Sequence, residues 1–228
     1  MLAKPLEDIR PRYDVVIVGS GYGGGVAASR LARAGRSVCL LERGREFTAG
    51  HFGNGLRHTF RELQLTGRRL RRGSPAGLLD LRIGDGMSVL AGSGLGGGSL
   101  INAAVALRAA PGVFERSEWP EALSRDGLLA SGYQLAEQML GVGIFPDAED
   151  NPKYRALKRA GEVLGAPVEP LPTAITYQPR TNHADVAQPG CRLCGDCWSG
   201  CNVGAKNTIP VTYLADAARF GAEIFTLA

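Results

Sequence analysis

At 228 residues and 44% apolar side chains, the chain can bury one substantial core or two small ones, which excludes disordered and collagen-like classes. A net charge of +4 rests on an arginine-rich set concentrated at Arg57, Arg61, Arg68, Arg69, Arg71 and Arg72. No aromatic ladder or nucleic-acid-binding motif accompanies these arginines, so no nucleic-acid partner is expected, and the interleaved Gly67, Gly73 and Pro75 predict a solvated connection. Residues 1–12 lack the hydrophobic run of a secretory signal, and no stretch reaches the roughly 18 apolar residues of a membrane helix. A cytoplasmic protein without a transmembrane segment is expected.

Residues 13–18, Tyr-Asp-Val-Val-Ile-Val, form a β-branched run expected to be a parallel strand buried on both faces. Gly19, Gly21 and Gly24 follow in the spacing G-x-G-x-x-G. In that spacing the first glycine allows a tight turn, the second lets a pyrophosphate approach the backbone, and the third lets a helix pack closely on the strand. A helix over residues 25–34, stopped at Gly35, presents its free N–H groups and positive dipole end to the phosphates. A second strand over 37–41 ends on Glu42, an acid 18 residues past Gly24 and at the separation for accepting hydrogen bonds from an adenosine ribose. Strand, glycine turn, helix, strand and acid in this order predict a dinucleotide site. The unit alone serves FAD or NAD, whereas Glu42 would repel the 2′-phosphate of NADP.

Residues 87–91 read as an extended segment, and the following Gly-Ser-Gly-Leu-Gly-Gly-Gly-Ser over 92–99 is too glycine-rich for regular structure. Its amides can wrap a flat or phosphorylated ligand, and the apolar run 100–107 behind it is expected to enter the core, unlike the continuation of a linker. Further on, helices are expected over 133–140, 154–164 and 212–220, with a strand over 222–227 returning to the first sheet.

Cys191, Cys194, Cys197 and Cys201 stand in the spacing C-x2-C-x2-C-x3-C, which matches the run that ligates iron–sulfur clusters in bacterial ferredoxins. Asn202 follows the last cysteine where a proline is usual, and there is no second motif. Three states remain open from the spacing: an iron–sulfur cluster, zinc, or four reduced thiols in a loop.

Gly-Ser-Gly-Tyr-Gly at 19–23 together with Gly-Gly-Gly-Ser-Leu-Ile-Asn at 96–102 resembles the glucose-methanol-choline (GMC) oxidoreductase family, in its cholesterol-oxidase-like branch. The likeness extends through Lys206-Asn207-Thr208 and Thr212-Tyr213-Leu214, and is thin over 45–80 and 110–190. It implies an α/β fold: a Rossmann-like FAD-binding domain with a parallel sheet over 1–110, the start of an α+β substrate domain over 111–205, and a return to the FAD domain over 206–228, in a chain shorter than full-length members. The implied cofactor is FAD, held by Gly19, Gly21, Tyr22, Gly23, Gly24 and Glu42, with Gly97, Gly98 and Asn102 lying over the flavin. The implied reaction passes hydride from the carbinol carbon of an alcohol or sterol to flavin N5, with oxygen, a quinone or a protein as the electron acceptor. The family's proton-handling histidine pair has no counterpart in His51, His58 and His183, so no catalytic residue is assigned. Two alternatives stand beside this reading: an iron–sulfur and flavin electron-transfer protein centred on Cys191–Cys201, and an inactive remnant.

Overall fold

The computed structural model describes residues 1–53, 55–110, 112–125 and 127–228. Pro111, at the expected start of the second unit, lies outside the described residues. The first strand, β1 (Val15–Val18), runs through the Gly19 turn into helix α1 (Tyr22–Arg33), and the chain returns as β2 (Val38–Glu42). The two strands are parallel, in register from Val15 beside Val38 to Val18 beside Leu41. At the end of α1, Gly35 adopts φ +75° and donates to the Ala32 carbonyl while Arg36 donates to that of Leu31, so left-handed backbone closes the helix.

The stretch after β2 expected to be a solvated connection is exposed at its arginines but is built from regular elements. Helix α2 (Leu56–Glu62) leads into β3 (Leu63–Thr66) and β4 (Arg71–Gly73), then β5 (Leu79–Ile83) and β6 (Ser88–Gly92), which form one sheet in the order β4-β3-β5-β6. Gly67 and Gly73 serve the β3–β4 hairpin, and Arg71 and Arg72 lie exposed on its edge strand. Charge on an edge strand discourages pairing with another chain, which gives the arginine concentration a structural use. Phe47, Leu78, Leu79 and Leu100 form a small core beneath this sheet.

Helices α3 (Ala122–Arg125), α4 (Leu128–Met139) and α5 (Pro152–Leu164) follow; Asn151 caps α5 by accepting from the Lys153 amide at 2.9 Å. Two short strands, β7 (Arg180–Thr181) and β8 (Ala187–Gln188), form a hairpin before the cysteine segment. The helix expected over 212–220 is split into a wide π-type turn over Pro210–Leu214 and α6 (Ala215–Arg219). The wide turn is closed by the Leu214 amide reaching back five residues to the Ile209 carbonyl at 2.9 Å. The last strand, β9 (Glu223–Thr226), pairs parallel with the far side of β2 and gives the first sheet its order β1-β2-β9.

The main core lies between this sheet and the packed pair of α1 and residues 209–217. It contains Ala28, Ala32, Val38, Leu40, Leu95, Ile209, Leu214, Ala217 and Ile224. Small residues on α1 permit the close approach: a Cβ on Gly25 would come within 2.5 Å of Ile209 Cγ2. Asp216, fully buried, fastens the same interface by accepting from Ser29 Oγ at 2.6 Å and from Arg33 Nε and Nη2 at 2.8 and 2.5 Å. Burial pushes the Asp216 carboxyl up, but these hydrogen bonds and the Arg33 charge outweigh it and leave the group below its usual range.

One expectation for β1 is corrected. Val15 and Ile17 pack toward the core, whereas Val16 is 56% and Val18 84% exposed, so the strand is covered on one face only. β1 is also an edge strand, paired with β2 alone.

Candidate functional site

The site is assembled where the two glycine clusters meet at the N-terminus of α1. Gly19 sits at φ +91° and donates its amide to the Leu41 carbonyl at 2.8 Å, which ties the turn to the end of β2. Gly24 is packed so tightly that a Cβ there would lie 1.9 Å from the Gly19 carbonyl oxygen. At Gly21 and Gly23 a Cβ would meet nothing within 4 Å. The third glycine of the motif is therefore closed against protein, and the second opens onto space. The amides of Tyr22, Gly23 and Gly24 precede the first intrahelical bond, which Gly25 makes to the Gly21 carbonyl at 2.8 Å, and lie at the positive end of the helix dipole.

The second cluster lies directly against the first. A Cβ on Gly97, itself at φ +54°, would stand 3.0 Å from Gly21 Cα, while one on Gly98 would meet nothing within 4 Å. The loop is held from behind by Pro210, whose ring would be 2.4 Å from a Cβ on Gly96, and by Ser99 Oγ, which accepts from the Ile209 amide at 3.0 Å. Beyond it, Asn102 Nδ2 donates to Tyr22 Oη at 2.7 Å, joining the two clusters at the mouth of the site. Burial raises the Tyr22 phenol above its usual range, and the Asn102 bond opposes that shift.

Glu42 is 6% exposed and is the hub of the inner wall. Its Oε2 accepts from the Ser20 amide at 3.1 Å and Ser20 Oγ at 2.5 Å; Oε1 accepts only from the Gly44 amide, at 2.8 Å. Two carboxylate oxygens offer about four acceptor sites, so Oε1 keeps capacity for a hydroxyl donor. Ser20 extends the link by accepting from the Gly96 amide at 2.9 Å. Sequence reasoning missed Ser20, although a hydroxyl between the first two motif glycines is the available signal.

A cavity of about 300 Å³ adjoins the Tyr22–Asn102 contact, lined among others by Val105, Leu107, Arg108, Tyr133 and Glu137. The apolar run 100–107 was expected to enter the core; Leu100 and Ala104 are buried, whereas Val105 is 45% and Leu107 60% exposed, and both line the cavity. Arg108 bridges Glu137 with two bonds of 2.6 and 2.7 Å, and this pair holds the Glu137 carboxyl below its usual range. His51, His58 and His183 are all exposed and none lines this cavity.

Lys206 was singled out in the sequence only as part of the family likeness. It is 3% exposed and lies between the second glycine cluster and the cysteine segment. Burial pulls its ammonium down to about 8, against the opposing effect of the Cys197 and Cys201 thiols.

The four clustered cysteines are free, and among the described residues no group of three or more His, Cys, Asp or Glu side chains is placed to hold a metal ion. Of the three states left open for Cys191, Cys194, Cys197 and Cys201, this arrangement gives no support to a metal centre. Cys191 is tied through its amide to the Thr176 carbonyl, its sulfur accepts the Leu193 amide at 3.4 Å, and Cys194 is exposed. Burial raises the Cys197 thiol, the Lys206 ammonium opposes that shift, and the neighbouring Cys201, Cys191 and Cys194 add to it. Among the described residues no helix is long and apolar enough to cross a membrane.

Comparison with known proteins agrees with this geometry. The chain is 34% identical over 241 residues to a cholesterol oxidase of Mycobacterium tuberculosis, covering 96% of this chain and 39% of that protein. It is 30% identical over 230 residues to a cholesterol oxidase of Acinetobacter baumannii, covering 93% and 40%. It is also 35% identical over 220 residues to a long-chain-alcohol oxidase of Arabidopsis thaliana, covering 95% and 26%. The chain therefore spans less than half the length of each of these relatives. The GMC oxidoreductase family model matches residues 13–228, so that the turn, the second glycine loop and the α1 interface all fall inside it, and the chain belongs to the GMC oxidoreductase family.

Proposed function

We propose that the chain is the FAD-holding portion of a flavin-dependent oxidoreductase that acts on the CH–OH group of an alcohol or sterol. In this reading residues 1–110 and 206–228 make the FAD unit, and 111–205 begin the part that faces the substrate. The observation that carries it is the pairing of the clusters: Gly97 packs against Gly21, while Gly21 and Gly98 themselves open onto unfilled space. Such a cradle of backbone fits a pyrophosphate, which needs close approach and free amides more than side chains. Glu42 would take a ribose hydroxyl on Oε1, Gly19 would hold the turn, and Gly23 and the α1 amides would face the phosphates. Gly97, Gly98 and the Asn102–Tyr22 pair would line the flavin end. Bound FAD would supply the hydride acceptor; the cavity beside Tyr22 and Asn102, with its exposed Val105 and Leu107, offers an apolar wall to a sterol or alkyl chain.

The test is purification of the chain and two variants, followed by flavin titration. FAD, and not NAD, is expected to bind. Gly21→Val should abolish binding by filling the cradle, and Glu42→Arg should weaken it by about tenfold through loss of the ribose acceptor. Full flavin occupancy in both variants would overturn the placement.

A further inference from the structure

The Gly-Ala-Lys-Asn-Thr segment at 204–208 has no part in the cradle itself, yet it contains the most buried cation of the site. Lys206 Nζ donates to the carbonyls of Leu100 at 2.9 Å, Asn102 at 2.7 Å and Cys197 at 2.6 Å. An ammonium has three protons, and all three are used on backbone oxygens; among the described residues no ion pair to a carboxylate is found for it. Leu100 ends a 3-10 turn over Gly97–Leu100 at the close of the second glycine loop, Asn102 follows it, and Cys197 opens a 3-10 turn over Cys197–Ser199 in the cysteine loop. A buried cation without a counter-charge is costly, so its retention at this junction asks for a role that a neutral side chain could not fill.

The lysine is itself fixed from several sides. The Thr208 amide donates to the Lys206 carbonyl at 2.9 Å, and the next residue, Asn207, is tied by its amide to the Ala174 carbonyl and by Nδ2 to the Leu140 carbonyl at 2.7 Å. Nζ thus sits on a rigid strut, and the loops adapt to it. One of those loops contains Asn102, whose carbonyl takes the shorter of the two glycine-loop bonds and whose side chain reaches Tyr22. We propose that Lys206 is a positioning residue for the flavin end of the site: by fixing the Leu100 and Asn102 carbonyls to the Cys197 carbonyl, it sets Asn102 against Tyr22 and makes the cysteine loop the backing of the cofactor wall. This rests on the FAD reading for its functional consequence and on the apo geometry for its structural one. It gives the cysteine segment a use that needs no metal, since the contact is made by a backbone carbonyl.

The experiment compares the full chain with Lys206→Met by hydrogen exchange without cofactor, and then by FAD titration. In the variant, exchange should quicken at the amides of residues 101, 102 and 199 while α1 and α4 keep their protection. FAD affinity should fall about tenfold, the size expected for losing a hydrogen bond to a charged group. The losses from Lys206→Met and Asn102→Ala should be sub-additive in a double-mutant cycle, because both act through one contact. Unchanged exchange at 101, 102 and 199, or additive losses, would overturn the proposal. If Lys206→Met does not fold, exchange on the unaltered chain decides: protection at 101–102 and at 199 must rise together on FAD addition, and a rise at 101–102 alone defeats the coupling. A chain that binds no FAD at all refutes the cofactor reading, while the cofactor-free exchange result still tests the role of Lys206.

Discussion

At the scale of single residues, the glycines of the first turn divide into two kinds that a sequence motif writes with one letter. Gly24 lacks room for a methyl group because the Gly19 carbonyl is 1.9 Å from where it would stand, whereas Gly21 has open space around it. Gly24→Ala should therefore destabilise the fold by about 2–3 kcal/mol through overpacking of backbone on backbone. Gly21→Ala should change stability by less than about 1 kcal/mol, since its φ of −66° suits any residue. The order reverses for cofactor binding: Gly21→Ala should lose most of its FAD affinity with the fold intact. Paired urea unfolding and flavin titration check both halves, and equal stability losses at the two positions would contradict the division. The motif glycines and Glu42 were legible because their roles are set by local backbone geometry. The parts played by Lys206 and Asp216 were not, since they act on Leu100 and Ser29, 106 and 187 residues away, and Ser20 was missed although its partner is Glu42 itself.

At the scale of elements, the β1-α1-β2 unit and the closing strand β9 could be read from short β-branched runs and a glycine-punctuated helix. The second sheet could be read only at β6, from the extended segment expected over 87–91. Its strands β3 and β4 carry Gln64, Arg71 and Arg72, and their pairing is decided by contacts outside each strand, such as Gln64 Nε2 donating to the Gly77 carbonyl at 2.5 Å and the bonding of Arg43 to Asp80. The helix expected at 212–220 changed character at its start because Pro210 lacks an amide and packs on Gly96, so the wide turn serves the second glycine loop. β9 offers a test of how the ends of the chain are joined. Glu223 accepts from Lys4 Nζ at 2.7 Å, Arg10 Nε at 2.8 Å and Tyr13 Oη at 2.6 Å. Hydrogen bonds from Lys4 and Tyr13, then Arg10, lower its carboxyl from 4.5 to about 2. Because the folded value is the lower one, the stabilisation is present above pH 4.5 and is lost as pH falls toward 2. Glu223→Gln should cost on the order of 1 kcal/mol at neutral pH, allowing for solvent screening of this partly exposed cluster. The gap between the two proteins should close across that acidic window; a gap of constant size down to pH 2 would show that the carboxylate contributes nothing.

At the scale of the whole molecule, the proposed reading of the glycine clusters as a cofactor wall leaves one requirement for alcohol oxidation to be met, a group to take the hydroxyl proton. Tyr22, Glu137 and Lys206, which line the cavity beside the Tyr22–Asn102 contact, are each unsuited to that task. The Tyr22 phenol is raised by burial and stays protonated at neutral pH. Glu137 is held low by Arg108, which makes it a weak base. The three protons of Lys206 are engaged with carbonyls, so no lone pair faces the cavity while it is charged. His51, His58 and His183 are exposed elsewhere. General-base assistance is typically worth about 10²–10⁴ in rate, so its absence alone would take turnover below ready detection. The chain loaded with FAD is therefore expected to leave its flavin oxidised when a sterol or a long-chain primary alcohol is added without oxygen, as followed by the flavin's visible absorbance. Bleaching on a timescale of seconds would mean that one of these side chains does accept the proton. Tyr22→Phe would then be the variant to make first, because its hydroxyl is the one held at the mouth of the cavity by Asn102.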